Sequence, residues 1–203
     1  MEGFLFIIFQ ILVVLFSIVI HEVSHGLMAY SLGDQTAKNA GRLTLNPLPH
    51  LDMFGSIILP FLTFSLGGFI FGYAKPVPYN PLYLRDQRFG PAKVGFAGPA
   101  SNIAIALIFG FILRFLPAFL GASILPELFS FIVLMNLVLA IFNLLPVPPL
   151  DGHWLLLSVI SEKFYRFKLF YLRYGLILFL LVLIFALPLI SPLVFKLFRL
   201  IVG

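Results

Sequence analysis

From Phe4 to Ile20 the chain has only Gln10 and Ser17 as polar interruptions, and the apolar pattern continues to about Tyr30 before Gly33-Asp34 stops it. At about 1.5 Å per residue, a helix over this run crosses a hydrocarbon layer roughly 30 Å thick. A helix also satisfies its backbone N–H and C=O groups internally, which lipid demands. The run therefore makes the bilayer the solvent in which this chain folds. Composition agrees, with 61% hydrophobic residues, 10% charged residues and a mean hydropathy of +1.10, far from soluble globular usage. An all-α integral membrane protein is expected, a polytopic helical bundle. With no long polar stretch to build a separate soluble unit, residues 1–203 read as a single domain. Glu2 precedes the first run, no basic residue does, and no small-residue cleavage site follows, so the run is expected to stay in the mature chain.

Further apolar segments follow. Phe54 to Tyr73 is broken by Pro60 and Gly67-Gly68, whereas Val94 to Leu116 and Leu128 to Leu145 are long enough to span. The proline cluster Pro146, Pro148 and Pro149 ends the last of these, because proline lacks a donor and clashes with the preceding turn. Between them, Lys75 to Lys93 carries Pro76, Pro78 and Pro81 among alternating residues, a pattern that predicts a short β-hairpin-like stretch. Trp154 to Tyr171 is basic and amphipathic, as for a segment lying at an interface, and Tyr174 onward is strongly apolar. The 25 Phe residues are read as lipid-facing and core packing.

The formal net charge is +5, but the Lys and Arg residues sit in short connections between apolar runs and form no dense patch. Topology explains them better than nucleic acid does, and no nucleic-acid partner is expected. Cysteine is absent, which removes disulfides, thiolate metal sites and a cysteine nucleophile. Any metal must be held by His, Asp or Glu.

Late in the first run stands His21-Glu22-Val23-Ser24-His25, an H-E-x-x-H pattern. The i, i+4 spacing puts both imidazoles on one helical face, where they can share a zinc ion, and Glu22 stands beside them within reach of a water on the metal. Three ionisable residues in a membrane helix are expensive, each by about 2.5 kcal/mol or more for charged types, and so require a compensating role. Catalytic zinc takes three protein ligands and keeps a fourth position open. His50, Asp52, Asp34 and Asp86 lie in polar connections, whereas Asp151 is the candidate held by a membrane element. His50 needs no special role there, and Asn136, in an apolar helix, reads as an interhelical hydrogen-bonding residue.

Three blocks resemble the site-2 protease family of intramembrane zinc metalloproteases. They are His21 to His25, Gly98-Pro99-Ala-Ser-Asn102, and Asn143-Leu-Leu-Pro146-Val-Pro148-Pro149-Leu-Asp151-Gly152, which matches the pattern N-x-x-P-x-P-x-x-D-G. Phe71-Gly-Tyr-Ala-Lys-Pro-Val-Pro78 is similar to the compact prokaryotic branch without PDZ or CBS domains. The resemblance implies Zn2+ as cofactor, with Asp151 as third ligand beside His21 and His25. It also implies Glu22 as catalytic base and Asn143 as a substrate-contacting or oxyanion-stabilising group. Asn102 is a candidate for substrate contact or for close helix packing. Many members carry a second Gly after Asp-Gly where this chain has His153; three ligands and a water already fill a tetrahedral site, so an outer or interfacial role is expected for it.

The resulting expectation is an intramembrane zinc metalloendopeptidase acting on transmembrane protein substrates, with proline-rich residues 75 to 81 offering an edge strand to the unwound substrate. The alternatives are a zinc or proton transporter, which would explain the histidines but not the Asn143 to Gly152 pattern, and an inactive binder of membrane proteins. For His21, His25 and Asp151 to meet, the helices that carry them must end at the same depth. One of the two intervening apolar segments is then not a full crossing, and Phe54 to Tyr73 is expected to be re-entrant. Lys38, Arg42, Lys75, Arg85, Arg88 and Lys93 then lie in the cytoplasm, the uncharged Pro117 to Pro126 connection lies outside, and the active site faces the cytoplasmic side of a multi-pass cell-membrane protein.

Overall fold

The computed structural model describes residues 2–67, 74–115, 124–185 and 187–203. Its helices are α1 (Glu2–Ser31), α2 (Thr36–Asn39), α3 (Leu59–Gly67), α4 (Gly90–Phe115), α5 (Leu125–Asn143), α6 (Gly152–Val159), α7 (Tyr165–Arg173), α8 (Gly175–Phe185) and α9 (Leu187–Val202). Among the described residues, Phe4–Ser31, Gly90–Phe115 and Leu125–Asn143 are each long and apolar enough to cross a membrane. These correspond to the spanning runs expected from sequence. The segment ending in α7 and the helix α8 make a further candidate that is bent by 65°.

The three spanning helices form the centre, and their contacts give the register. Opposite α1, residues 25, 21 and 17 meet 94 and 102 of α4 in reversed order, so the two are antiparallel. Phe9 meets Phe131, and Ser17 meets Asn136, so α1 and α5 run in the same direction. Helix α4 is thus the return between them. Polar residues in this lipid-soluble bundle are turned inward: Ser17, His21, His25, Asn102 and Asn136 are buried, whereas Phe4, Ile7, Ile11 and Ile108 are exposed. Asn136 donates to Ser17 Oγ at 3.0 Å and accepts from Asn102 Nδ2 at 2.8 Å, the interhelical role read from sequence. At the other end of the bundle, α9 lays Ile190 and Val194 against Ala106, Leu113, Val133 and Leu137.

Helix α1 ends where Gly33 adopts φ 108°, with Asp34 N–H donating to Ala29 O and Gly33 N–H to Tyr30 O. These bonds satisfy the last carbonyls in the pattern that glycine favours. Asp34 then accepts from Thr36 N–H and Thr36 Oγ1, and from Asn80 N–H at 2.6 Å. Burial works against its ionisation, but these hydrogen bonds outweigh that and hold its pKa below the usual carboxylate range.

The hairpin expected over 75 to 93 is a correction. Among the described residues there is no strand; residues 74–80 run without regular structure into a 3-10 turn, Pro81–Tyr83. The reason lies in the backbone donors. Pro76 and Pro78 have none, Lys75 N–H goes to His50 O, Val77 N–H to Glu22 Oε2, and Asn80 N–H to Asp34 Oδ2. A ladder would need those groups, so the segment is a strap fastened to α1, and its Val77 amide is not an open edge for another chain.

The expected interfacial segment Trp154 to Tyr171 is also broken. Helix α6 stops at Val159, Ser161 caps a new turn by accepting from Lys163 N–H, and α7 follows. This break lets Tyr171 donate to Pro146 O at 2.8 Å and places Gly175 against Pro148, bracing the loop that delivers Asp151. Gly152, after that aspartate, lies so near the Leu144 and Leu145 backbone that a Cβ would collide with main chain. Of the segment Phe54 to Tyr73, residues 53–58 form a π-type turn and α3 adds nine residues up to Gly67. Gly68 and the start of the Phe71 to Pro78 block lie outside the described residues, as does most of the Pro117 to Pro126 connection.

Candidate metal centre

His21 and His25 lie one turn apart on the buried face of α1, with ring centroids 4.6 Å apart and planes at 85°. His21 Nδ1 is 2.6 Å from Asn102 Oδ1, and His25 Nδ1 is 2.6 Å from Val94 O. Both partners accept. The Val94 carbonyl can do nothing else, and Asn102 Nδ2 faces Ser17 O at 3.3 Å and Asn136 Oδ1 at 2.8 Å, which fixes the orientation of its amide. Each imidazole therefore carries its proton on Nδ1 and presents a lone pair on Nε2. Those two nitrogens meet one oxygen, with His21 Nε2 3.0 Å and His25 Nε2 3.3 Å from Asp151 Oδ2.

The arrangement fits a metal. Three lone pairs that point at one another repel unless a cation lies among them, and the ligand atoms fall within 4.8 Å of one another. Among the described residues this is the one group of His, Asp and Glu with such spacing. Two imidazoles, a carboxylate and no thiolate suit zinc in an open, three-ligand site. As a metal ligand the carboxyl would be ionised, because a metal takes the carboxylate and not the acid.

Helix α4 is shaped for this approach. A Cβ on Gly98 would lie 2.6 Å from His21 Nε2 and closer still to His25 Nε2, and one on Gly95 would lie 2.9 Å from Asp151 O. Glycine at both positions leaves the space that the rings and the loop occupy. Glu22 points instead to the strap, where Oε2 accepts from Val77 N–H at 2.8 Å.

The other donors open at the sequence level have local duties. Asp52 caps the turn at Gly55, Asp86 accepts from Phe89 N–H and Lys93 Nζ, and His50 is wholly buried with Nε2 bonded to Thr44 O. His153 is buried against Trp154 with Nδ1 on Leu150 O, and burial lowers its pKa. Asn102 is 0% exposed and its amide is fully occupied, so this geometry supports a residue that positions His21 and not one that touches substrate. Asn143 is half-buried on the last turn of α5, with Nδ2 donating to Leu139 O at 2.9 Å. Sequence reasoning missed the Val94 carbonyl and the Val77 amide because main-chain groups leave no residue-type signal. Ser17 did leave one, a hydroxyl residue four positions before His21.

Comparison with known proteins adds an independent line. The peptidase family M50 profile matches residues 118–186. YwhC of Bacillus subtilis, by its name a candidate zinc metalloprotease, is 40% identical over 152 residues, 71% of this chain and 66% of its own length. The chain belongs to the M50, or site-2 protease, family. Rip2 of Mycolicibacterium smegmatis, named in the same way, is 31% identical over 144 residues, 68% of this chain and 52% of its own length. MJ0611 of Methanocaldococcus jannaschii, again so named, is 36% identical over 99 residues, 49% of each protein. The matched stretch thus spans about half to two thirds of these M50 relatives. No solved structure matches the chain.

The Asn102 contact makes a prediction. Asn102→Ala should weaken zinc binding by roughly 10- to 100-fold, the usual effect of removing a group that orients a ligand histidine. Asn102→Asp, which keeps an acceptor for His21 Nδ1, should retain most of the affinity. Competition with a chromogenic chelator measures both, and equal affinity of Asn102→Ala and wild type would remove the positioning role.

Proposed function

We propose that this chain is an intramembrane zinc endopeptidase that hydrolyses peptide bonds of transmembrane proteins. The observation that supports it most is the convergence of His21 Nε2, His25 Nε2 and Asp151 Oδ2 inside the bundle, with Glu22 on the same turn of α1. The family match supports peptidase chemistry and does not favour zinc or proton transport.

His21, His25 and Asp151 would hold the metal. Bound there, zinc would supply Lewis acidity and make water more acidic. Glu22 would take a proton from water as it adds to the peptide carbonyl and hand that proton to the amine as the C–N bond breaks. The Val77 amide holds one carboxylate oxygen in place for both transfers. Asn143, at the end of α5 and near the loop to Asp151, contacts the substrate main chain. A helical substrate has its carbonyls tied in hydrogen bonds, so the segment to be cut must first unwind. Glu22→Gln should keep stoichiometric zinc and lose cleavage, and Asn143→Ala should keep zinc and cut more slowly. Mass spectrometry of membrane peptides from cells co-expressing single-span proteins reads this directly. Undiminished cleavage by Glu22→Gln would end the assignment of the base.

The orientation follows from the same geometry. Among the described residues, α4 is the one full crossing between α1 and α5, which supports reading 54–73 as re-entrant with Lys38, Arg42, Arg85, Arg88 and Lys93 on one side. By the positive-inside rule that side is the cytoplasm, so the zinc site faces inward in a multi-pass cell-membrane protein. Because the chain has no cysteine, single cysteines at Asn39, Tyr83 and Ser123 can be probed with an impermeant thiol reagent in intact cells. Labelling is expected at position 123 and not at 39 or 83. Strong labelling at position 83 would show that residues 54–73 cross.

A further inference from the structure

The strap across the metal centre carries a hydroxyl that the mechanism above does not use. Tyr79 lies between two fastened backbone amides, Val77 N–H on Glu22 Oε2 at 2.8 Å and Asn80 N–H on Asp34 Oδ2 at 2.6 Å, so its ring has little freedom. The ring packs on the cluster of Ala29, Leu84 and Val94, and stands edge-on to Trp154 with centroids 6.3 Å apart. Val94 supplies the carbonyl that orients His25, and Trp154 lies three positions after Asp151. The phenol is thus bounded by α1, which carries His21 and His25, by α4, and by α6, which follows Asp151.

Its hydroxyl is buried and has no partner among the described protein groups. An unsatisfied buried hydroxyl is destabilising by about 1 to 3 kcal/mol, and phenylalanine would pack the same ring without that penalty. Among the described residues nothing uses this oxygen, which makes it a candidate donor to a bound ligand. A phenol with its ordinary pKa of about 10 keeps its proton at neutral pH, so the group is a donor. Asn143, the side chain first considered as an oxyanion donor, directs one of its two Nδ2 hydrogens back to Leu139 O.

We propose that the Tyr79 hydroxyl donates a hydrogen bond to the scissile carbonyl oxygen as negative charge develops on it, a proposal that rests on the endopeptidase reading. The proton stays on Tyr79 throughout; the contact strengthens as the carbonyl becomes tetrahedral and contributes nothing to the folded state without substrate. Tyr79 is then a catalytic residue, and the strap does two jobs: Val77 positions the base and Tyr79 meets the oxygen.

The test compares the zinc-loaded full chain with Tyr79→Phe in lipid nanodiscs. Two capped dileucine probes are titrated calorimetrically. One has a phosphinic group in place of the scissile amide, with a tetrahedral anionic oxygen beside the one on zinc; the other ends in a thiol that binds zinc and offers no such oxygen. The substitution should weaken the phosphinic probe on the order of 100-fold, leave the thiol probe unchanged, keep full zinc content, and leave the thermal midpoint equal or higher. Unchanged phosphinic affinity overturns the proposal. An equal loss for both probes also overturns it, because Tyr79 would then merely shape the site. If neither probe binds wild type, the metal-centre reading itself falls, an outcome separate from failure of Tyr79 alone.

Discussion

His21 and Asp151 are 130 positions apart and meet at a single carboxylate oxygen, with His25 converging on the same atom. Three electron-rich groups at one point in an apolar bundle are an electrostatic liability that a divalent cation turns into a strong interaction, and the rest of the structure serves to hold them there. Antiparallel α4 supplies the acceptors for both Nδ1 protons and, at Gly95 and Gly98, the space for the rings and for the Asp151 loop. Helix α5 runs alongside α1, so that its C-terminal end brings the proline loop to the same depth. Tyr171 and Gly175 close on that loop from behind.

The buried polar groups form two connected sets with different tasks. Ser17, Asn136 and Asn102 lead to His21 through side chains whose donors and acceptors match, so the orientation of one ligand depends on three helices. In lipid such bonds contribute about 0.6 to 2 kcal/mol each, a modest amount whose larger value is in fixing geometry. Asp34, Asn80 and Val77 lead through the strap to Glu22, the proposed base. The proposed metal ligands and the proposed base are thus oriented by different hydrogen bonds, although all but Asp151 lie on α1.

Much of this was legible in the sequence. Run length and apolarity gave α1, α4 and α5, and the i, i+4 histidines gave two candidate ligands on one helix face, because both signals are local and governed by helix geometry. The convergence of Asp151 with His21 and His25 agrees with what the motif resemblance implied, though spacing alone left several acids open. What could not be read depended on main chain meeting side chain over long separations. The alternation in 75 to 81 looked like a strand because side-chain pattern does not reveal that Glu22 and Asp34 take the amides a ladder needs. The break at Ile160-Ser161 was hidden within an amphipathic pattern, and Asn102 read equally well as a packing or a substrate residue until its amide was seen bonded to His21.

The central claim is that one metal ion is held by two imidazoles and one carboxylate at this point in the bundle. X-ray absorption at the zinc edge, on purified zinc-loaded protein and on Asp151→Ala, tests it directly. The account predicts about one zinc per chain, two histidine nitrogens at about 2.0 to 2.1 Å with the remaining ligands oxygen, and loss of an oxygen ligand with much weaker retention in the variant. A wild-type spectrum without two-histidine scattering, or an identical spectrum at full occupancy from Asp151→Ala, would contradict it.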